Sequence, residues 1–232
     1  TALEALARAD TVVLDKTGTL TRGKPTLVRV LPFGLSQEEA LRLAAALERG
    51  SEHPLAKAVL EAAESLPQAQ AEEVRALPGE GVEGRVEGRR LHLGGPALME
   101  RLGVPLPEEA KALPEEGYTP LYLVEGTRLL AAFAVFDPPR PEAQEAVAAL
   151  KALGLKLVLL TGDHPAPARR VAEALGIPEV LAGVRPEGKV EAIRRLQAEG
   201  RKVVFVGDGI NDAAALAQAD VGLAMGSGTD IA

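Results

Sequence analysis

Carboxylates and glycines, at two of the places with threonines beside them, recur at three points of the chain, each time directly after a run of apolar residues. The first run ends on Asp15 in "VVLDKTGTLT", the second on "TGD" at 161–163 and the third on "GD" at 207–208. Continuous apolar runs of this kind are typical of buried parallel strands, whose carboxyl ends meet at one edge of a sheet. These polar groups, together with Lys189 at the start of a predicted helix, are therefore expected to lie close together.

This combination of groups predicts phosphoryl transfer. Asp15 and Asp208 would repel each other unless a divalent cation lay between them, and Mg²⁺ prefers oxygen ligands. Glycine lets backbone N–H groups approach phosphate oxygens, Lys189 would neutralise a transferred phosphoryl group, and Lys16 is expected to hold phosphate nearby. One carboxylate can coordinate metal while the other attacks phosphorus. The competing interpretation, ordinary turn residues, explains any single loop but not three loops and a lysine together.

The elements that must position these groups alternate along the C-terminal half of the chain. Apolar runs at 131–137, 155–163, 202–208 and 221–225 are separated by helical segments that begin at proline or end at glycine. Alternation of apolar strands with helices predicts a parallel sheet that is covered on both faces. The strand that ends on Asp15 is expected to join this sheet, because it too is a continuous apolar run.

Residues 25–128 follow a different pattern and are predicted to form an insert. A capping box, Ser36 and Glu39, opens the first of two predicted helices, and glycine-broken segments at 81–95 and 119–133 predict two hairpins. Loops after strands tolerate insertions. The sequence therefore predicts one α/β domain interrupted by an inserted α+β domain.

The composition excludes several classes of function. A net charge of −7 argues against a nucleic-acid partner, and no apolar run approaches the ~20 residues of a membrane helix. The chain has no cysteine, which removes disulfides and thiolate metal sites, and its three histidines lack zinc-ligand spacing. The chain as given is predicted to be soluble. Asn211 is its only asparagine. A thermophilic source and GC-rich codon usage explain this scarcity of asparagine equally well.

Six short motifs carry a resemblance to a known family. "DKTGTLT" at 15–21, "TGD" at 161–163 and "GDGIND" at 207–212 resemble the P-type ion-pumping ATPases of the haloacid-dehalogenase-like superfamily. "SEHPLA", "GEGVEG" and "DPPRPEA" are similar to the heavy-metal-transporting branch, and the resemblance runs from about residue 9 to 232.

The resemblance implies a fold and a separate function for each of two domains. The expected fold is α/β, with a Rossmann-like parallel sheet of haloacid-dehalogenase type that is interrupted by an inserted α+β domain with an antiparallel sheet. Residues 1–24 and 129–232 would form the phosphorylation domain and 25–128 the nucleotide-binding domain, with hinges near Gly23–Pro25 and Gly126–Leu130. Arg140 and Glu142 in "DPPRPEA" are interpreted as hinge or helix-start residues, and an ordinary helix-cap region with proline in the first turn is sufficient to explain them.

The resemblance also implies roles for the residues of the sheet edge. ATP would phosphorylate Asp15, and Mg²⁺ would be held by Asp15, the carbonyl of Thr17 and Asp208. The remaining residues would contact or support the phosphoryl group: Thr161, Gly162, Lys189, Asn211 and Asp212.

The adenine site is implied in the insert, at Glu48, His53, Gly79 and Gly81. "GEGVEG" also fits a dinucleotide fingerprint, but a strand rather than a helix follows it, so that interpretation is rejected. From the residues alone, a lone histidine such as His53 is more often a helix cap or a packed side chain than a ligand contact. The family usually has asparagine where this chain has Gly95, a departure that affects one side-chain contact of the nucleotide pocket.

Thr17 separates two related kinds of enzyme. A simple phosphatase of the same superfamily carries Asp two residues after the nucleophile as general acid, whereas threonine does not readily supply a proton. An aspartyl phosphate on Asp15 is therefore expected to persist until another element delivers water. In the pumps that element is an actuator domain with a Thr-Gly-Glu loop, a tripeptide that this sequence lacks.

The expected activity is that of the catalytic fragment of a Cu⁺-exporting pump, with ATP and Mg²⁺ as cofactors. Its partners would be the pump's own actuator and membrane domains, on the cytoplasmic side of the membrane, and the fragment itself would be soluble, monomeric and slow to hydrolyse ATP. Zinc, cadmium or cobalt is the alternative cargo. A stand-alone Mg²⁺-dependent phosphatase and a non-catalytic nucleotide sensor are the alternative functions.

Overall fold

The computed structural model describes residues 2–209 and 212–225, and the chain divides into two compact units. The first unit takes in the described residues up to Gly23 and from Asp137 onward, and the second spans Lys24–Phe136. Asn211, a predicted phosphoryl contact, lies outside the described residues.

Strands and helices alternate through much of the chain. The strands are β1 (Thr11–Asp15), β2 (Thr26–Pro32), β3 (Ala71–Leu77), β4 (Gly81–Val86), β5 (Arg89–Gly94), β6 (Thr119–Glu125), β7 (Arg128–Phe136), β8 (Lys156–Leu160), β9 (Glu179–Leu181), β10 (Val203–Asp208) and β11 (Val221–Met225). The helices are α1 (Ala2–Arg8), α2 (Gln37–Glu48), α3 (Pro54–Ala62), α4 (Pro96–Leu102), α5 (Glu108–Lys111), α6 (Ala143–Ala152), α7 (Pro165–Leu175), α8 (Lys189–Ala198) and α9 (Ala213–Gln218). Within the described ranges, none of these helices has the length and apolar character needed to span a membrane.

The first unit is built on a five-stranded sheet in which every pairing is parallel, in the order β11-β10-β1-β8-β9. β1 is central, and all of its residues are buried. A central parallel strand is covered on both faces, which is why its sequence is a continuous run of aliphatic and β-branched residues. The prediction that β1 joins the later strands is confirmed.

Helices cover both faces of this sheet. Val13 and Phe205 pack with Ile193 of α8 in one core. Helices α6 and α7 contact β8 and β9, and they bury Val147 and Val171. Because successive residues of a strand point to opposite faces, a strand that is buried throughout needs a layer on each side.

The second unit is built on a six-stranded antiparallel sheet in the order β2-β7-β6-β5-β4-β3. One face packs against α2 and α3 in a core that includes Leu43 and Val59. The other face packs against α4 and α5 around Leu98 and Tyr122, whose hydroxyl donates to the carbonyl of Ala110 at 2.9 Å. The predicted α+β insert with an antiparallel sheet is confirmed, and the two predicted hairpins are β4–β5 and β6–β7.

The insert ends later than its sequence predicts. The sequence predicts that the apolar run at 131–137 joins the parallel sheet, but residues 131–136 belong to β7, which pairs with β6 and β2. The insert therefore extends to Phe136 rather than to residue 128, and the hinge predicted at Gly126–Leu130 is the turn of a hairpin. The chain passes between the units at 23–24 and at 136–137.

Candidate active site

Asp15 lies at the carboxyl end of the central strand of the parallel sheet. β8 and β10 flank β1, with Asp15 level with Leu160 and Leu14 level with Val206. The loops that follow β8 and β10 therefore begin on either side of Asp15. In open α/β sheets, ligands bind beyond the carboxyl ends of the strands where the strand order reverses, and β1 occupies that point here.

A closed loop follows Asp15. The Thr21 N–H donates to the carbonyl of Lys16 at 3.1 Å, which brings the loop back on itself. Gly18 has φ +80°, a left-handed conformation that glycine adopts without the strain a side chain would add. Thr17 is exposed between these fixed points, in an extended conformation at φ −76°, ψ 123°.

Lys189 joins two carboxylates at the end of the sheet. Its ammonium lies 3.3 Å from Asp15 Oδ2 and 2.9 Å from Asp212 Oδ1, and the three side chains are only 15%, 7% and 1% exposed, respectively. The second oxygen of Asp212, Oδ2, accepts the N–H of Asp208 at 2.9 Å. Asp212 therefore holds both Lys189 and the start of the loop after β10.

Burial and the neighbouring charges act against each other on the pKa values of these three groups. The pKa of Asp15 is raised to about 7, first by burial and then by the hydrogen bond and charge of Asp212, against the opposing effect of Lys189. For Asp212, burial favours the neutral form, but hydrogen bonds from Asp15, Lys189 and the Asp208 backbone hold its pKa below the usual value. Burial also opposes the charge of Lys189, yet its two carboxylate partners raise its pKa. One ammonium is shared by two carboxylates.

The loop after β8 is tied to the loop after β1. Lys16 Nζ lies 2.7 Å from Asp163 Oδ2, and the Lys16 side chain is 5% exposed. Thr161 Oγ1 accepts the Asp163 N–H at 3.1 Å. A Cβ at Gly162 would lie 3.2 Å from the carbonyl of Val184, so the loop passes close to the chain after β9. Lys16, which was expected to hold phosphate, pairs its ammonium with Asp163 in this structure.

The oxygens at this sheet edge suit a magnesium ion. The predicted donors are the Asp15 carboxylate, the Thr17 carbonyl and Asp208, which is partly exposed. Across the described ranges, no three His, Asp or Glu side chains cluster as a metal site. Mg²⁺ commonly takes only one or two carboxylates and completes its octahedron with water and substrate phosphate, so this donor set and its surplus of negative charge fit the ion.

Arg140 makes contacts that the sequence did not predict. Of the two residues interpreted as hinge or helix-start residues, Glu142 directly precedes α6, which begins at Ala143, and Arg140 lies three residues before Ala143. The Arg140 side chain reaches the loop after Asp15, where Nη2 donates to the Gly18 carbonyl and Nε to the Thr21 carbonyl, each at 3.2 Å. Prolines on both sides of Arg140 restrict its backbone, but they do not indicate which groups its side chain contacts.

The second unit contains a cleft of about 730 Å³ that the four predicted adenine contacts line together: Glu48, His53, Gly79 and Gly81. Much of its wall is apolar, including Leu47, Leu55, Val82, Leu93 and Leu121. A concave, mostly apolar site with a few polar groups is the usual form of a small-molecule pocket.

His53 serves as a helix cap and still leaves one ring nitrogen for a ligand. Its Nδ1 accepts the N–H of Leu55 at 3.1 Å, at the start of α3. A ring nitrogen that accepts a hydrogen bond carries no proton, so this bond fixes the neutral tautomer with the proton on Nε2. The cap and ligand interpretations of His53 are therefore compatible.

Two glycines of the cleft are required by the backbone. Gly79 has φ +75°, and Gly81 has φ +153° with a Cβ position only 2.1 Å from the carbonyl oxygen of Leu93. Gly94, which the sequence did not single out, is under the same constraint, because its Cβ would lie 2.1 Å from the carbonyl oxygen of Glu80. At Gly95 no atom lies within 4 Å of a Cβ, and its φ of −88° suits any residue, so the absence of the family's asparagine leaves open space.

Comparisons with known proteins cover the whole of the described fold. The sequence profile of the haloacid dehalogenase-like hydrolases matches residues 9–220. Copper-transporting ATPase 1 of Rhizobium meliloti (strain 1021) is 46% identical over 237 residues, which cover 100% of this chain and 29% of that protein. The chain thus spans less than a third of the length of that curated relative.

Two solved structures are similar along nearly the whole chain. A zinc-transporting PIB-type ATPase in the E2.Pi state has a TM-score of 0.86 and 42% identity, over 99% of this chain and 38% of that one. The catalytic domain of the CPx-ATPase CopB-B, solved in a study of conformational changes upon nucleotide binding, has a TM-score of 0.72 and 31% identity, over 98% of this chain and 82% of that one. The predicted haloacid-dehalogenase type of fold is confirmed.

Gly81→Ala is expected to destabilise the second unit, whereas Gly95→Ala is expected to be nearly neutral. The new Cβ at position 81 would collide with the Leu93 carbonyl in a backbone conformation that alanine rarely adopts. We expect a loss of about 2 kcal/mol or more for Gly81→Ala in chemical unfolding. Equal stability of the two variants would contradict the close approach.

Glu48→Gln is expected to remove part of the pH dependence of stability. Burial raises the pKa of Glu48 to about 7. A carboxyl whose pKa is raised by folding contributes full stability below its unfolded pKa, and that contribution is lost as the pH rises toward 7. The glutamine variant should therefore gain stability over the wild type between pH 5 and pH 8, on the order of 1–2 kcal/mol.

Thermal unfolding at the two pH values measures this difference. Glu38→Gln, on an exposed part of the same helix, is the matched control. A Glu48→Gln variant that changes stability equally at both pH values would rule out the buried carboxyl as the cause.

Proposed function

The chain belongs to the haloacid dehalogenase-like hydrolases, and among them to the catalytic domains of heavy-metal P-type ATPases, and from this membership we propose that it transfers the γ-phosphate of ATP to Asp15. The observation that carries the proposal is the buried Asp15 carboxylate held 3.3 Å from Lys189 at the end of the central strand. A carboxylate placed there faces the position where the family's fold receives substrate.

In the proposed reaction, an oxygen of Asp15 attacks the γ-phosphorus of ATP. The bond between that phosphorus and the bridging oxygen breaks, the electron pair stays on the oxygen, and ADP leaves without needing a proton. Asp15 has to be ionised to attack, and Lys189 favours that form. Asp212 keeps Lys189 in place, so the ammonium can stabilise the charge of the transferred group.

A magnesium ion held by Asp15, Asp208 and the Thr17 carbonyl would neutralise charge on the phosphate and on the carboxylates. The Thr161 hydroxyl and the Gly162 N–H are proposed to bind phosphoryl oxygens from the second loop. The ion pair between Lys16 and Asp163 ties that loop to the loop of Asp15. Positioning and electrostatics are therefore the main catalytic contributions, as is usual in phosphoryl transfer.

Thr17 is proposed to make the phosphorylated state long-lived. It is exposed beside the nucleophile, where a carboxylic acid would be able to pass protons to and from reacting oxygens. A threonine hydroxyl does not titrate in the physiological range and cannot activate water. The acyl phosphate on Asp15 should accordingly form and then persist, as energy transduction in a pump requires.

The cleft of the second unit is proposed to bind the adenine ring of ATP. Its apolar wall can take a flat heteroaromatic ring, while Glu48 and the Nε2–H of His53 offer one acceptor and one donor for ring substituents. Gly79 and Gly81 bring backbone close to the ligand without side chains in the way. Residues 24–136 would then be the nucleotide-binding domain and the remainder the phosphorylation domain.

In the full-length protein, the phosphoenzyme is proposed to drive export of a heavy-metal ion, with copper as the cargo. The copper-transporting relative at 46% identity supports copper, while the zinc-transporting structure at 42% makes zinc the alternative. The partners would be the actuator and membrane domains of the same pump, and this region would lie on the cytoplasmic side of the membrane.

Asp15→Asn is expected to abolish phosphorylation. The amide keeps the size of the side chain but is a very poor nucleophile. With radiolabelled ATP and Mg²⁺, the wild type should acquire an acid-stable, hydroxylamine-sensitive label, reduced at least about 100-fold in the variant. Both proteins should bind ATP, as measured by calorimetry. A label that survives in the variant, or a wild type that acquires none, would refute the role of Asp15, and rapid hydrolysis of small phosphate esters would indicate the phosphatase instead.

His53→Ala and His53→Asn together separate capping from ligand binding. Asparagine can still accept the N–H of Leu55 at the helix start, but it has no ring to place against a purine. Both variants should bind ATP about 10-fold more weakly, a loss of about 1.4 kcal/mol. Only the alanine variant should also lose thermal stability. Unchanged ATP affinity in the asparagine variant would leave His53 as a cap alone.

A further inference from the structure

The segment where the chain returns from the second unit is bonded to the loop after Asp15. Arg140 donates from its backbone N–H to the Leu20 carbonyl at 2.7 Å and from its guanidinium to the carbonyls of Gly18 and Thr21. Asp137 Oδ2 accepts the Thr21 hydroxyl at 2.7 Å and the Gly23 N–H at 3.1 Å. A single arginine therefore holds three carbonyl groups of the loop, those of Gly18, Leu20 and Thr21.

We propose that Arg140 and Asp137 form a clasp that sets the conformation of the loop after Asp15, which makes Arg140 a positioning residue for phosphoryl transfer. The role in catalysis rests on the proposed function of Asp15. The clasp itself rests on the hydrogen bonds alone.

The bonds of Arg140 fix whole peptide groups. In a trans peptide the carbonyl and the following N–H point in opposite directions, so holding one sets the other. Arg140 holds the carbonyl of Leu20, and the next N–H, that of Thr21, points to the Lys16 carbonyl and closes the loop. The bond to the Gly18 carbonyl fixes the peptide that follows Gly18.

Gly18 is the residue that most needs such a bond. At φ +80° it has no side chain to restrict it, and glycine populates both halves of backbone space with similar ease. Thr17 lies between Gly18 and the end of β1. With Gly18 held on one side and Asp15 fixed in the strand on the other, the direction of the Thr17 carbonyl is restricted, and that carbonyl is a proposed ligand of Mg²⁺.

The chemistry of arginine suits this role. The guanidinium presents donors from separate nitrogens in a rigid plane, so it can reach the Gly18 and Thr21 carbonyls at once. Lysine offers a single nitrogen on a flexible stem and cannot occupy both directions equally well. Arg140 is half-buried, which limits competition from water for these bonds.

Asp137 extends the clasp to both crossings of the chain between the two units. Gly23 is the last residue of the first unit before the insert, and Asp137 is the first residue after it. A single carboxylate oxygen bonds both Gly23 and Thr21, so the outgoing and returning segments are fastened together at the loop that carries the nucleophile.

The test compares Arg140→Met and Arg140→Lys with the wild type in the full 232-residue chain. Arg169→Met, an exposed arginine of α7, is the matched control. The hydrogen-exchange rate of residues 16–23 measures how firmly the loop conformation is held, and this measurement does not depend on catalytic activity. Beryllofluoride, a mimic of the phosphoryl group, reports the Asp15 site in the presence of Mg²⁺, and ATP binding reports the cleft of the second unit.

We expect faster exchange of residues 16–23 in Arg140→Met and an intermediate rate in Arg140→Lys, at temperatures where both variants are folded. Beryllofluoride affinity should fall on the order of 10- to 100-fold in Arg140→Met, because displaced groups lose catalytic alignment steeply with distance. ATP affinity should stay unchanged, and Arg169→Met should match the wild type throughout.

Unchanged exchange in Arg140→Met, or an exchange rate in Arg140→Lys equal to that of the wild type, would overturn the clasp. Faster exchange with unchanged beryllofluoride affinity would overturn the positioning role. A wild type whose beryllofluoride binding does not depend on Asp15 would instead count against the proposed function, and the exchange rates would still decide the clasp. If the methionine variant does not fold, the lysine variant alone decides by the same measurements.

Discussion

Much of the local structure of the first unit follows from one constraint, a carboxylate placed inside the protein at the end of a central strand. Burial alone would neutralise Asp15, and its pKa of about 7 shows how far burial and Asp212 act in that direction. Lys189 is the compensating charge, and it is itself held by Asp212. Removal of Lys189 would leave two buried carboxylates without a compensating charge, which is why the position of this lysine matters.

The first unit holds a cluster of charged groups, whereas the second unit holds a largely apolar cleft. The sheet edge of the first unit gathers charges and keeps them apart from bulk water, whereas the cleft of the second unit is lined largely by aliphatic side chains with Glu48 and His53 at intervals. An apolar cleft and a cluster of interacting charges need different surroundings. The insertion allows each to be built in its own core while both belong to one chain.

Local pattern predicted the parallel sheet well, because strands covered on both faces carry an unmistakable run of apolar residues. The same signal misled at β7, whose Phe133 faces one core of the second unit while Ala132 faces the other. A strand between two cores has the same apolar run whether its neighbours are parallel or antiparallel, so sequence alone does not assign it to a sheet. The three-residue strand β9 is too short to leave a pattern.

The site was predicted as a set of residues but not as a set of contacts. Motif and strand position predicted that Asp15 and Lys189 lie close together, and their side chains are 3.3 Å apart. The pairing of Lys16 with Asp163 and the bonds of Arg140 join residues that are more than a hundred positions apart, and no local pattern reports them. The sequence indicated Gly81 as a residue close to a ligand. The structure gives a separate reason for glycine at this position, because a Cβ there would collide with the Leu93 carbonyl.

The pairing of Thr26 with Phe136 has a consequence for the order in which the protein folds. β1 cannot pair until β8 and β10 have been synthesised, and both strands follow the insert in the chain. The insert is a continuous segment and is complete before β8 is synthesised. Once the insert has folded, β2 and β7 hold its two ends side by side, and it becomes in effect a short turn between β1 and the rest of the first unit. By the usual logarithmic dependence on loop length, this lowers the entropic cost of closing the parallel sheet by about 1–2 kcal/mol. A folded insert would thus favour the pairing of β1 with the later strands, because it shortens the effective loop between them.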